Sequence, residues 1–273
     1  MVQVTIGIPT LNGPDRLFRC LRSIGQHTSW GSCGDVKVLV VDDGSTEELL
    51  KTNKDMVHIA SGLYPQMGLE MLMHNERRGI ARGWNALTRH RGSEVVALMN
   101  DDIEVVDDWL DVLVYSVTKN GHAGMVGLNS YVGVTKASVP FPPPRVDYCE
   151  GRLLGGGSNG LVSSQGPLFA FRREMFDRVG GFDERYFCFY EEVDFGIALR
   201  QAGFHHYMAD YPRVFHMGGA TNSKPENLDA AKHMAESAEK FRQKWGATLG
   251  DLRAGFGPSP GCDEWNTQIK NWR

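Results

Sequence analysis

The sequence has no apolar run approaching the roughly 20 residues that a bilayer-spanning helix requires, which leaves no candidate transmembrane helix. Cysteine is sparse and scattered. Cys20, Cys33, Cys149, Cys188 and Cys262 form no CxxC pair, so neither a disulfide framework nor a zinc ribbon is expected and the thiols read as reduced. Charge of one sign is not in excess: a net charge of -4 gives no global pull toward nucleic acid or anionic lipid. The opening residues, MVQVTIGIPT, lack the basic region, apolar segment and cleavage site of a signal peptide, so they read as a first strand and a cytoplasmic location is expected. Internal repeats and coiled-coil heptads are absent. What remains is ordinary globular material, 273 residues with 41% hydrophobic and 23% charged, enough for one large domain with a real core.

The periodicity predicts repeated strand and helix units. Residues 2–9 alternate and end in Pro-Thr, and residues 15–24 carry Leu17, Leu21 and Ile24 at helical spacing. Residues 36–41 are a continuous apolar run closed by DDGS, with helical character from Glu47 onward. Two such units in sixty residues predict a parallel sheet. A short strand over 69–73, a loop entering a helix over 77–87, a buried strand over 95–99, a helix over 107–117 and a strand over 125–128 complete a first half by about residue 130. Residues 130–165, with FPPP and GGGSNG, read as a long loop covering an acceptor. GGGSNG lacks the Lys of a phosphate loop. A strand over 168–171, a short helix over 174–179, a helix from Val193, a short strand at 214–216 and a charged helix over 227–245 follow. The Gly- and Pro-containing tail from Gly246 reads as peripheral.

Acid at the ends of buried strands is the informative feature. The run at 95–99 stops in Asn100, Asp101 and Asp102, and the run at 36–41 stops in Asp42 and Asp43. A carboxylate leaving water costs several kcal/mol unless a cation, a hydrogen-bond donor or a turn receives it. Asn and Asp are common turn formers, so either cluster alone is weak. A third cluster, Glu191, Glu192 and Asp194, opens the helix that carries Phe195, Ala198, Leu199 and Ala202. Complementing the helix dipole is worth only ~0.3–1 kcal/mol per acid, which accounts for one acid better than three. In open α/β sheets, ligands bind beyond the carboxyl ends of the strands.

Six segments, in order, carry a resemblance: TIGIPTLN, VVDDGS, NERRGIARGWN, LMNDDIEV, GGFDERYFCFYEEVDFGIALRQAGF and VFHMGGA. Together they resemble the inverting nucleotide-sugar glycosyltransferases of family 2, over roughly residues 3–220. The resemblance implies an α/β GT-A fold, a Rossmann-like, mostly parallel central sheet flanked by helices. It divides the chain into a domain over 1–222, with a nucleotide-binding half (1–129) and an acceptor or catalytic half (130–222), and a C-terminal helix and tail over 223–273. It implies that Pro9, Thr10 and Asn12 border the nucleotide and that Asp42 accepts hydrogen bonds from its base, while Asp43 is divided between base contact and capping the GS turn. Gly79 and Asn85 would lie beneath the nucleotide, with Arg82 approaching the diphosphate beside Arg77 and Arg78. Asp102 matches the last acid of the DxD-type motif and would bind metal with His216, the ion being Mn2+ or Mg2+. Asn100 stands where the first Asp is usual, and Asp101 would assist through solvent or metal.

Glu192 matches the second acid of the family's ED motif and would be the general base, with Glu191 orienting acceptor hydroxyls and Asp194 capping or binding backbone. The donor implied is a nucleotide-diphosphate sugar, UDP-sugar first, and the acceptor is a saccharide, lipid-linked sugar, protein or modified base. Two other classes stay open at this point. A nucleotidyltransferase would carry a Gly-rich, Lys- or Arg-bearing loop after the first strand, where this chain has PTLNGPDR. A binding protein that had lost catalysis would have no need to keep Asp102, Glu192 and His216 together.

Overall fold

The computed structural model describes residues 2–32, 34–132, 153–154, 167–218, 229–249 and 251–252. FPPP, GGGSNG, most of the 130–165 loop, most of the tail, Cys33, Cys149 and Cys262 lie outside these residues.

The apolar runs become the strands of one mixed sheet. β1 (Gln3–Thr10), β2 (Asp35–Asp42), β3 (Glu70–Met73) and β4 (Val95–Met99) form its parallel half in the order β3-β2-β1-β4. Parallel strands need long crossovers, and helices α1 (Pro14–His27), α2 (Glu47–Leu63) and α3 (Ile80–Arg91) supply them. β4 is buried along its whole length, which is why it reads as an unbroken apolar run. Beyond β4 the direction reverses. β8 (Leu168–Arg172) runs antiparallel to β4, β6 (Ala123–Val132) antiparallel to β8, and β9 (His205–His216) parallel to β6. Two short strands, β5 (Ile103–Glu104) and β7 (Leu153–Leu154), both pair with β9. Helices α4 (Trp109–Lys119), α5 (Arg173–Val179), α6 (Glu191–Gln201) and α7 (Ala230–Trp245) complete the layers. No described helix is long and apolar enough to cross a membrane.

β9 corrects the sequence reading, which placed a strand only over 214–216. The polar stretch HHYMADY hides its first half, and Pro212 falls where the β6 register shifts between Leu128 and Ser130. A proline is tolerated in a strand at such an irregularity because no ladder N–H is required there. The aromatics behave as core. Trp84 meets Phe169 edge-on at 5.2 Å and Phe182 at 5.1 Å, and Tyr186 is buried.

His206 sits at the centre of this packing. Its Nδ1 accepts from the Met125 N–H at 3.2 Å, so Nε2 carries the proton and donates to the Gly196 carbonyl at 2.8 Å. Burial pushes its pKa down to about 3. The unfolded chain therefore takes up a proton near pH 6.5 that the folded chain refuses. The stability this neutral ring contributes is complete above about pH 6.5 and is lost below it, at up to about 1.4 kcal/mol per pH unit. Asp101 acts with the opposite sign. Burial raises it to about 6, so its contribution is largest below its ordinary range and falls as pH rises to 6. His206→Gln is expected to tilt stability upward on acidification from pH 6.5 to 4.5 relative to wild type, read by urea unfolding at both values. Equal slopes would remove His206 from the balance.

Candidate functional site

The polar residues singled out in the sequence gather at one edge of the sheet, beyond the carboxyl ends of β1, β2, β3 and β4. Thr10 and Asp42 are directly opposite in the β1–β2 ladder, with Pro9 buried beside Val41. The loops are tied together by hydrogen bonds. The Asp43 N–H donates to the Thr10 carbonyl at 3.0 Å, the Asn12 N–H to Ser45 Oγ at 2.8 Å and the Thr46 N–H to Asn12 Oδ1 at 3.0 Å. Asn12 holds a left-handed φ of 50°, which Asn tolerates.

The two acids of DDGS have separate partners. Asp42, not Asp43, closes the GS turn: Oδ1 accepts from the Ser45 N–H, and Oδ2 from Ser45 Oγ and Asn53 Nδ2, all within 2.8 Å. With 0% exposure its carboxylate is spent inside the protein, and this geometry gives no support to a base-contacting Asp42. Asp43 instead accepts from the Arg78 and Gly79 N–H groups at 2.9 and 2.8 Å and from His74 Nδ1 at 2.9 Å. It fixes the loop before α3. Gly79 is obligatory there, because at φ 86° a Cβ would lie 2.4 Å from the Phe187 carbonyl oxygen. Asn85 is also structural in its contacts, donating to the Phe182 carbonyl and Glu184 while accepting from the Phe182 N–H. Arg82 pairs with Glu184 at 3.1 Å.

The adjacent acids Asp101 and Asp102 point to different company. Asp101 Oδ2 receives Thr10 Oγ1 at 2.7 Å and Arg16 Nη2 at 3.3 Å, so this buried carboxylate ties β1 and α1 to the turn after β4. In these contacts it acts as a scaffold group. Asn100 is half-buried, with its N–H on the Pro167 carbonyl at 2.8 Å.

Asp102 meets His216. The two-residue pairing of β5 with β9 sets Ile103 opposite His216, and the Met217 N–H donates to the Asp102 carbonyl. Asp102 Oδ1 and His216 Nε2 are thereby brought to 3.3 Å. Both atoms are buried, and neither has a hydrogen-bond partner. Buried polar atoms are nearly always satisfied, so an oxygen and an imidazole nitrogen facing each other unsatisfied fit a divalent cation. Among the described residues no group of three or more His, Cys, Asp and Glu side chains is arranged to hold a metal.

Glu191 and Glu192 open α6, as expected. Glu191 is buried with Oε2 unpartnered, and Glu192 is half-buried. Burial raises both carboxyl groups above the ordinary range, Glu191 further, with the neighbouring Glu192 adding to its shift. The residues before them are strained: Phe189 and Tyr190 both have left-handed φ, at 68° and 70°. Such non-glycine residues cost roughly 1–3 kcal/mol each and persist only where the surroundings over-determine them.

Here the surroundings are α7, which the sequence reading treated as an extension. Ser237 Oγ donates to the Cys188 carbonyl, Lys240 Nζ to the Arg185 carbonyl, and His233 stacks on Phe187 at 4.7 Å. Asp194 does not cap backbone. It accepts from Lys244 Nζ at 2.7 Å, Trp245 Nε1 at 2.9 Å and Tyr186 Oη at 3.3 Å. Sequence inspection missed these α7 residues because a charged amphipathic helix carries no local mark of its partner.

Comparison with known proteins adds three findings. Residues 5–180 match the profile of Glycosyl transferase family 2. Among curated proteins, the N-acetylglucosaminyl-diphospho-decaprenol L-rhamnosyltransferase of Mycobacterium tuberculosis is 39% identical over 88 residues, 31% of this chain and 29% of the relative. The glucosyl-dolichyl phosphate glucuronosyltransferase of Haloferax volcanii is 26% identical over 158 residues, 54% of this chain and 46% of the relative. The chain thus spans less than half the length of either. Among solved structures, a mannosyltransferase from Pyrobaculum calidifontis in complex with GDP-Man and Mn2+ superposes with a TM-score of 0.64 at 20% identity, over 88% of this chain and 64% of that one. That likeness establishes a shared GT-A fold.

Proposed function

The chain belongs to glycosyl transferase family 2, and on that premise we propose that it transfers a sugar from a nucleoside-diphosphate donor to an acceptor hydroxyl by a single inverting displacement. The observation that carries the reading is the unsatisfied Asp102 Oδ1 and His216 Nε2 pair at the carboxyl edge of the sheet. Breaking the bond between the anomeric carbon and the diphosphate leaves the electron pair on a phosphate oxygen. A bound divalent cation, Mn2+ before Mg2+ for a mixed oxygen and nitrogen donor set, supplies Lewis-acid neutralisation of that charge. Asp102 and His216 hold the ion. Pro9, Thr10 and Asn12, with the loop that Asp43 secures, form the wall against which the nucleotide lies. Asp42 and Asp101 act behind this wall, fixing the turns.

The acceptor hydroxyl is a poor nucleophile, so a carboxylate must take its proton during attack. Glu192 does this, its basicity raised by burial, while Glu191 orients the acceptor. A UDP-sugar is the first donor to test. A lipid-linked sugar is the first acceptor, since both curated relatives are named for polyprenyl-linked substrates.

Thermal unfolding with UDP, GDP, dTDP and CDP and their sugar conjugates, each with Mn2+ or with chelator, tests the donor half of the reading. A ligand at a hundred times its dissociation constant adds ~2.7 kcal/mol, which for a chain of this size is a rise of about 5–10 °C. A rise with one nucleotide that chelator abolishes is the expected result. No rise with any of them would overturn the reading.

A further inference from the structure

The three acids of α6 stand in one helical turn, and two of them are assigned above to the acceptor side. Asp194 is the third, 2% exposed and one turn along from Tyr190, whose carbonyl accepts the Asp194 N–H at 2.8 Å. Its carboxylate is the point where α7 grips α6. Lys244 Nζ bridges Asp194 Oδ2 at 2.7 Å and Asp183 Oδ2 at 2.9 Å, so one ammonium ties the segment before the strained residues to the helix after them. Trp245 Nε1 holds the other Asp194 oxygen, and Tyr190 packs on Phe241 with ring centroids 5.1 Å apart. Asp183, Arg185, Phe187, Cys188, Tyr190 and Asp194 thus each meet α7 directly.

We propose that Lys244 is a positioning residue that holds Glu191 and Glu192 in their reactive placement by clamping Asp194 and Asp183 together. The inference rests on the function proposed above. Lys244 itself touches neither glutamate in the described contacts and acts through the backbone of 183–194. Without its ammonium, Asp183 keeps the Arg185 guanidinium at 2.6 Å and Asp194 keeps the Trp245 N–H, but the left-handed pair Phe189–Tyr190 loses the ammonium tie that spans it. The donor pocket, built on β1, β2 and the loop before α3, receives no contact from Lys244.

The test compares Lys244→Met and Lys244→Arg in the full chain, measuring kcat, donor KM and Tm, together with amide hydrogen exchange over 183–194. Lys244→Met is expected to lower kcat at least tenfold with donor KM within about twofold of wild type, and to speed exchange over 183–194 while the sheet strands keep their protection. Lys244→Arg, which keeps the charge and reach, is expected to restore most of kcat. Wild-type kcat in the Met variant, or a loss that Arg fails to rescue and that moves donor KM and Tm together, would overturn the proposal. A wild-type chain that turns over no nucleotide sugar would sink the transfer reading instead. Exchange over 183–194 would then still decide whether Lys244 fixes this segment.

Discussion

Glu192→Gln is expected to lower the rate of sugar transfer by about 10²–10⁴-fold while leaving metal-dependent nucleotide binding intact. The magnitude is that of losing a positioned general base, and the amide keeps the size of the side chain while removing its proton affinity. Two features of α6 support the direction. Glu192 is half-buried, whereas Glu191 is buried with an unpartnered oxygen. Burial also raises the Glu192 carboxyl, so the acidic limb of the rate profile is expected above the ordinary Glu range. The rate should climb as pH rises through that raised pKa. Single-turnover measurement with donor and acceptor, beside nucleotide titration of the same variant, checks both halves. Unchanged turnover in Glu192→Gln would remove it as the base, and collapse in Glu191→Gln alone would transfer the role to its neighbour.

The second large effect is on the metal. His216→Ala and Asp102→Asn are each expected to weaken nucleotide binding in Mn2+ by at least about tenfold, or ~1.4 kcal/mol. Binding in chelator should be nearly unaltered. Two of the histidines of β9, His206 and His216, make an internal control. His206 has both nitrogens hydrogen-bonded and is part of the core, so losing it should cost folding stability. His216 Nε2 faces Asp102 Oδ1 at 3.3 Å without a formed hydrogen bond. His216→Ala should therefore move Tm little in the absence of metal, and calorimetric titration with Mn2+ and nucleotide should carry the effect. A Mn2+ dependence equal to wild type would return His216 to a packing role.

Much of the parallel half was legible in the chain because β1, β2 and β4 are buried along nearly their whole length and helices with their own periodicity separate the strands. Strand β4 coincides with the expected 95–99 run. The second half was less legible for physical reasons. Strand β9 begins in polar residues and breaks register around Pro212, so neither alternation nor an apolar run marks it. At the site, residue type announced chemistry but not partners. Asp42 and Asp43 read alike in sequence, yet one faces Ser45 and Asn53 and the other the backbone of Arg78 and Gly79. Asp101 and Asp102 are separated in the same way, by Arg16 on one side and His216 on the other. Apart from the near partners of Asp42, these distinctions depend on contacts 35–114 positions apart, which local pattern does not encode.

The reversal of strand direction at β4 also orders the molecule in time. Strands β1 to β4 and their crossover helices are complete within the first 99 residues, and β1, β2 and β3 pair only within this group while β4 also pairs with β8. A chain emerging from the ribosome carries everything needed for that half well before β8 appears. The pairing of β5 with β9 waits for His216. In a chain synthesised from its N-terminus, Asp102 therefore waits for His216, and the Asp102–His216 pair can form only after all of β1 to β4 has been made.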